Sequence, residues 1–104
     1  MSTLRNEFEE IKPQVWEAIR DAIDYIPIGI EVFDIRELYT DNYNFIVTIA
    51  IEWKYDNRRE YGNEIYEDCT GEIKKIEILF ITAHDETGGF VDLPNTWIEE
   101  LNND

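Results

Sequence analysis

One stretch of the sequence, FIVTIAIEWKY, alternates between apolar and mixed positions over eleven residues. Because side chains in a β-strand point in turn to opposite faces, this pattern predicts a long strand with one face on the core. The positions between are mixed, so we expect the other face to be partly exposed. The positions assigned to the core face are Phe45, Val47, Ile49, Ile51, Trp53 and Tyr55.

The N-terminal part of the chain has a helical period instead. Pro13 lacks the N–H that would bond to the carbonyl of Glu9, but the apolar stripe continues through it. We therefore expect one kinked amphipathic helix or two abutting segments, ended by Pro27 and Gly29. The stripe recurs every three or four residues and consists of Leu4, Phe8, Ile11, Val15, Ile19, Ala22 and Ile26.

Shorter sequence patterns predict the remaining strands and a second helix. Residues 28–35, 72–83 and 90–93 predict three further strands, and residues 94–103 predict a short helix with Thr96 and Glu99 at capping-box spacing. A polar arm, residues 56–71, is either a long loop or an extension of a hairpin. We expect a single α+β domain over residues 1–104. In it an N-terminal amphipathic helix packs on a four-stranded, mainly antiparallel sheet, followed by a short C-terminal helix.

The charge of the chain limits its partners. It carries 24 acidic and 9 basic residues, a formal net charge of −15. Such a chain repels phosphates, which argues against direct binding of nucleic acid. A single cysteine, Cys69, excludes an internal disulfide, the first residues lack a signal-peptide pattern, and the apolar runs are too short to cross a bilayer. We expect a soluble cytoplasmic protein that does not bind membranes.

Catalytic signals are weak. His84 is the only histidine, and with Asp85 and Glu86 it suggests a general base or a metal ligand. A zinc site needs three or four ligands at compatible spacing, however, and the glycines at 88 and 89 favour a turn between strands. We expect no catalytic residues, no cofactor and no metal. A small carboxylate- or metal-dependent enzyme around His84 is kept as an alternative.

The helix also carries an acidic row beside its apolar stripe. At 100° per residue these positions fall on one side of the helix, directed outward when the apolar face packs on the sheet. The row spans about 25 Å, and a row of carboxylates on that scale can imitate a DNA phosphate backbone. It is either a partner-binding surface or a solvated helix side. The row consists of Glu7, Glu10, Gln14, Glu17, Asp21 and Asp24.

The polar arm supplies a second candidate surface. Arg58, Tyr61 and Tyr66 are residue types that anchor protein interfaces. They form either a protein-binding patch or the lining of a hairpin.

The second half of the chain resembles a known group of proteins. The order of IEWKY, an arm with YG, GEIKKIEI, a tight turn and WIEELNN, over residues 43–104, is similar to small uncharacterised phage-encoded or mobile-element proteins. The resemblance implies a viral or mobile-element setting and carries over no catalytic residues.

From these patterns we expect a non-enzymatic, acidic accessory protein that binds another protein, with a homo-oligomer as one version of this hypothesis. The alternative is an inhibitor that mimics nucleic acid through its acidic helix side. Its partner would be a basic nucleic-acid-binding protein.

Overall fold

The computed structural model describes residues 3–59 and 65–103. The strands form one antiparallel sheet in the order β1–β2–β3–β4, which confirms the predicted α+β architecture. The elements of the described residues are α1 (Thr3–Ile23), β1 (Val32–Tyr39), β2 (Tyr43–Arg59), β3 (Ile65–Asp85), β4 (Phe90–Asp92) and α2 (Asn95–Asn102).

The core lies between the two helices and one face of the sheet. The apolar stripe of α1 and the alternate positions of β2 from Phe45 to Trp53 pack in it, as predicted from their periods. Tyr55, also assigned to the core face, is 49% exposed, because the register of β2 and β3 shifts between Trp53 and Tyr55. Trp53 is also buried, and its indole N–H donates to the carbonyl of Ile30 at 2.8 Å. The largest fully buried side chains are Phe8, Phe45, Ile11, Ile19, Ile49, Ile78, Ile81, Leu101, Val15 and Val47.

Helix α2 packs against α1 on this same layer. The rings of Phe8 and Trp97 stack with their centroids 5.0 Å apart. The indole N–H of Trp16 donates to the carbonyl of Leu101 at 2.8 Å, which satisfies a carbonyl in the last turn of α2. Thr96 does not cap α2, so the prediction of a capping box is wrong. Pro94 occupies the N-cap position of α2, and its ring has no hydrogen-bonding group to cap the helix.

Strand β3 contains a bulge where its edge lies beside α2. Thr48 pairs with Phe80 and Ile49 with Ile78, so Leu79 is an extra residue on β3. The side-chain amide of Asn102 then binds both backbone groups of Ile78, each at 2.9 Å. An α2 side chain thus takes the place of a neighbouring strand at this point.

The structure changes some predicted boundaries. The first strand begins at Val32, because Ile28 and Ile30 lie in an exposed loop where Gly29 adopts φ 94°. The register of this strand against β2 shifts between Ile35 and Leu38. Helix α1 runs unbroken through its proline. The polar arm is a hairpin extension in its described part, since residues 55–59 of β2 pair with residues 65–69 of β3.

Candidate functional site

A groove separates α1 from β1 at one edge of the sheet. It has a volume of about 710 Å³. Its apolar floor includes the half-buried side chains of Ala18, Ala22 and Phe33. Glu17 and Asp21 line it from α1, and both are exposed. We call this feature the α1–β1 groove.

The charged residues that line the groove from β1 are Asp34 and Arg36. Arg36 Nη2 donates to Asp34 Oδ2 at 3.2 Å, and the hydroxyl of buried Thr48 donates to Asp34 Oδ1 at 2.7 Å. The guanidinium is therefore engaged by its own strand, and the Glu17 and Asp21 carboxylates leave the groove negative. Asp34 and Arg36 were not predicted from the sequence as site residues, although their spacing of two on a strand places them on one side.

The acidic row of α1 is mostly where the helical period places it. Glu7 is the exception, because it is only 5% exposed and accepts a hydrogen bond from the backbone N–H of Asn42 at 2.7 Å. The expectation that Glu7 faces outward is wrong, since this end of α1 packs against the β1–β2 turn. The exposed members of the row are Glu10, Gln14, Glu17, Asp21 and Asp24.

The opposite flank of α1 is basic and faces α2. Both terminal nitrogens of Arg5 bind the Glu100 carboxylate at 2.8 Å, and Lys12 Nζ binds it at 2.9 Å. The hydrogen bond from Arg5, followed by that from Lys12, lowers the pKa of Glu100 to about 2. The Arg5 guanidinium also lies 5.0 Å from the ring centroid of Trp97. The cations of this flank are thus used within the fold.

The turn after β3 uses its carboxylate to close itself. Asp85 Oδ1 accepts bonds from the Thr87 hydroxyl at 2.7 Å and from the backbone N–H groups of Thr87 and Gly89 at 3.0 and 2.9 Å. The hydroxyl bond, with the backbone bonds, lowers the pKa of Asp85. A Cβ at Gly89 would meet Asp85 Oδ2 at 3.1 Å, so a larger residue there would require the carboxylate to shift by a few tenths of an ångström. Glu86 is exposed beside it.

His84 lies at the end of β3 and packs on a neighbouring strand. Its ring is tilted against that of Phe90, with the centroids 5.8 Å apart. It lines neither the α1–β1 groove nor the three clefts around Trp53. In residues 3–59 and 65–103, no group of three His, Cys, Asp or Glu side chains is arranged to hold a metal ion.

The arm residues are brought together in part. Arg58 and Tyr66 are directly opposite each other in the register of β2 and β3. Their side chains, like all of Tyr61, lie outside the described part of the structure. The interface role assigned to them stays a prediction.

The face of the sheet opposite the helices exposes aromatic side chains. Cross-strand partners share a face, so the row Tyr39–Asn44–His84–Phe90 crosses all four strands on this side. We call it the open face, because the described residues place both helices on the other side. Phe80, paired with Thr48, belongs to it as well. The exposed fractions are 67% for Tyr39, 48% for Phe80 and 65% for Phe90.

These exposed aromatic residues were not predicted from the sequence, but the sequence contains a pattern that indicates an apolar second face. The run ILFI, residues 78–81, is apolar at four successive positions. In a strand, such a run makes both faces apolar.

No protein-family model, curated protein or solved structure matches this chain. Among the described residues, neither helix has the length and apolar character needed to span a bilayer.

Proposed function

We propose that this chain is a non-enzymatic accessory protein that binds another protein through its open face. The observation that carries the proposal is the exposure of Phe80 and Phe90 on the side of the sheet away from the helices. A chain with a net charge of −15 has ample polar surface, so aromatic side chains grouped on one face are typical of an interaction surface.

The arrangement of the open face favours a protein partner. Four strands set side by side span about 14 Å across the row from Tyr39 to Phe90. Phe80 lies about 13 Å along β3 from His84. Thr48, the partner of Phe80 on β2, is 5% exposed, so its side chain is covered by its neighbours on this face. Aromatic side chains spread over such a surface are the usual anchors of protein–protein contacts.

The non-enzymatic part of the proposal has separate support. The Asp85 carboxylate is used by three hydrogen bonds within its own turn, and His84 packs on Phe90. These contacts give Asp85 a structural role in its turn and make His84 part of the open face. The phage or mobile-element setting implied by the resemblance stays a prediction.

The proposal is tested by comparing two double variants. Phe80→Ser/Phe90→Ser removes the aromatic side chains of the open face. Ile28→Ser/Val91→Ser removes two side chains that are similarly exposed but lie off it, at 67% and 51%. Each is used to capture partners from a bacterial lysate at low and at high salt, with quantitative mass spectrometry.

We expect one partner to be captured at both salt concentrations by wild type and by the control, and lost with the open-face variant. Equal capture by both variants would show the proposal to be wrong. Sedimentation velocity on the same proteins shows whether the partner is a second copy, because the open-face variant alone would then become monomeric.

A second candidate function is supported by the exposed carboxylates of α1. Glu10 to Asp24 spans about 21 Å of helix, a length over which carboxylates imitate nucleic-acid phosphates. This function predicts a basic, nucleic-acid-binding partner that is captured at low salt only. Glu10→Lys/Glu17→Lys/Asp21→Lys should abolish that capture while the open-face variant retains it. The reverse result would exclude mimicry.

A further inference from the structure

The outer edge of β1 carries backbone groups directed away from the sheet. The N–H of Ile51 donates to the carbonyl of Glu31 at 2.8 Å, which makes this a hydrogen-bonded pair of the β1–β2 ladder. The ladder alternates, so Phe33 and Ile35 also bond toward β2. The N–H and C=O groups of Val32 and Asp34 then point outward. In the described residues β1 has β2 as its one neighbour in the sheet.

The α1–β1 groove runs beside this edge. A strand added next to β1 would place alternate side chains on the helix side of the sheet. There they would meet the apolar floor of Ala18 and Ala22 and then the carboxylates of Glu17 and Asp21. A long aliphatic stem with a cationic end matches this order of surfaces.

We propose that an extended, lysine- or arginine-bearing segment of a partner protein adds to β1 as a fifth strand and fills the α1–β1 groove. The inference rests on the proposed function, since it assumes that the chain binds proteins, and it names a second surface and the chemistry of its partner. Main-chain bonds to Val32 and Asp34 hold the segment. Its cationic side chains on the helix side pair with Glu17 and Asp21.

The negative charge of the groove favours a cationic segment of a partner protein over a second copy of this chain. Two copies paired edge to edge would bring their Glu17 and Asp21 carboxylates toward each other, and each chain carries a net charge of −15. Like charges brought together across an interface oppose association. The bulge between Ile35 and Leu38 limits regular pairing to the first half of β1, so a short segment is sufficient.

The probe is a synthetic peptide of about eight residues that alternates lysine and threonine, since threonine favours an extended chain. Its control has the same sequence with the threonine nitrogens methylated, which keeps every charge but removes the donors on one edge. Binding is measured by fluorescence anisotropy. Amide hydrogen exchange of Val32 and Asp34 is measured by NMR with and without peptide.

We expect the peptide to slow exchange at Val32 and Asp34, while Phe33 and Ile35 are protected already. The methylated peptide should bind about tenfold more weakly or worse, because it cannot complete the ladder. Glu17→Lys/Asp21→Lys should weaken binding by a similar factor. The matched charge change at exposed residues elsewhere, Glu86→Lys/Glu99→Lys, should have a much smaller effect.

Three outcomes would overturn the inference: no binding, binding without slower exchange in β1, or equal weakening by the two charge-reversal variants. None of them bears on the open face, whose test uses different residues and a salt-resistant partner. Conversely, loss of the open-face partner leaves the peptide result unaffected. The two proposals can therefore fail separately.

Discussion

The two edges of the sheet differ in whether their backbone groups find hydrogen-bond partners within the chain. On the β3 side, Leu93 N–H donates to the Ile81 carbonyl at 3.0 Å and Asn102 binds both backbone groups of Ile78. On the β1 side, the described residues leave Val32 and Asp34 directed outward. At Ile78 and Ile81 the β3 side is completed by other parts of the chain, whereas Val32 and Asp34 on the β1 side retain their capacity to bind a strand.

The charges of α1 follow the same division. Arg5 and Lys12, on the flank toward α2, are bound to Glu100. Glu17 and Asp21, on the flank toward β1, are exposed. Because Arg5 and Lys12 are bound within the fold while Glu17 and Asp21 are exposed beside the β1 edge, this flank favours a basic partner.

The largest expected effect is at the completed edge. Asn102→Ala removes the partner of both backbone groups of buried Ile78, and each buried group left unpaired costs about 1–3 kcal/mol. We expect the free energy of unfolding to fall by about 2–4 kcal/mol, measured by urea denaturation. Asn103→Ala, one residue along and exposed, is the control. Equal losses in both variants would show that the β3 edge does not depend on this amide.

The next effect concerns the end of α1 nearest the open edge. Glu7→Ala removes a buried carboxylate that accepts the Asn42 N–H. Such a charge-assisted bond is worth about 1.5–3 kcal/mol, and the loss should appear as a lower urea midpoint. Glu10→Ala, at an exposed position of the same helix, should change stability by less than about 0.5 kcal/mol. If the two variants were alike, Glu7 would not anchor α1 to the β1–β2 turn.

A smaller, pH-dependent effect belongs to the basic flank of α1. The pKa of Glu100 is lowered from 4.5 to about 2 in the folded protein. The stabilisation by its ion pairs is therefore fully present above about pH 4.5 and is lost as the pH falls toward 2. Urea midpoints of wild type and Glu100→Gln should differ most at neutral pH and converge through this window. A difference that does not change with pH would contradict the assignment.

The smallest effect is expected at the open edge in the free protein. Val32→Pro removes an N–H that points outward, at the first residue of a strand, where proline is tolerated. We expect it to differ in stability from Val32→Ala by less than about 0.5 kcal/mol, by urea denaturation. A large loss would mean that the Val32 N–H has a partner within the fold, and the contrast between the edges would then disappear.

The elements with a strong local period could be predicted from the sequence. The alternation from Phe45 to Trp53 and the stripe from Phe8 to Ile19 both describe buried faces, because each needs only the geometry of its own element. Pro13 did not break α1, since continued burial of the stripe outweighs one missing hydrogen bond. Ile28 and Ile30 were wrongly predicted to lie in a strand, because two alternating residues do not outweigh a glycine with positive φ.

The candidate sites depend on contacts that no local pattern contains. Glu7 and Asn42 are 35 residues apart, so the helical period alone could not show that this carboxylate is buried. The α1–β1 groove requires knowing which sheet edge the acidic flank of α1 adjoins. The pairing of Arg58 with Tyr66 requires the register of the hairpin, which a polar arm does not reveal.

The contact between α1 and α2 can form only late in the synthesis of the chain. Arg5 and Glu100 are 95 residues apart, and at 5–20 residues per second the ribosome needs roughly 5–20 s to make that length of chain. Throughout this interval Phe8 lacks the Trp97 ring against which it stacks in the finished fold. The newly made helix therefore keeps part of its apolar face in water for seconds, a period in which chaperones can bind it.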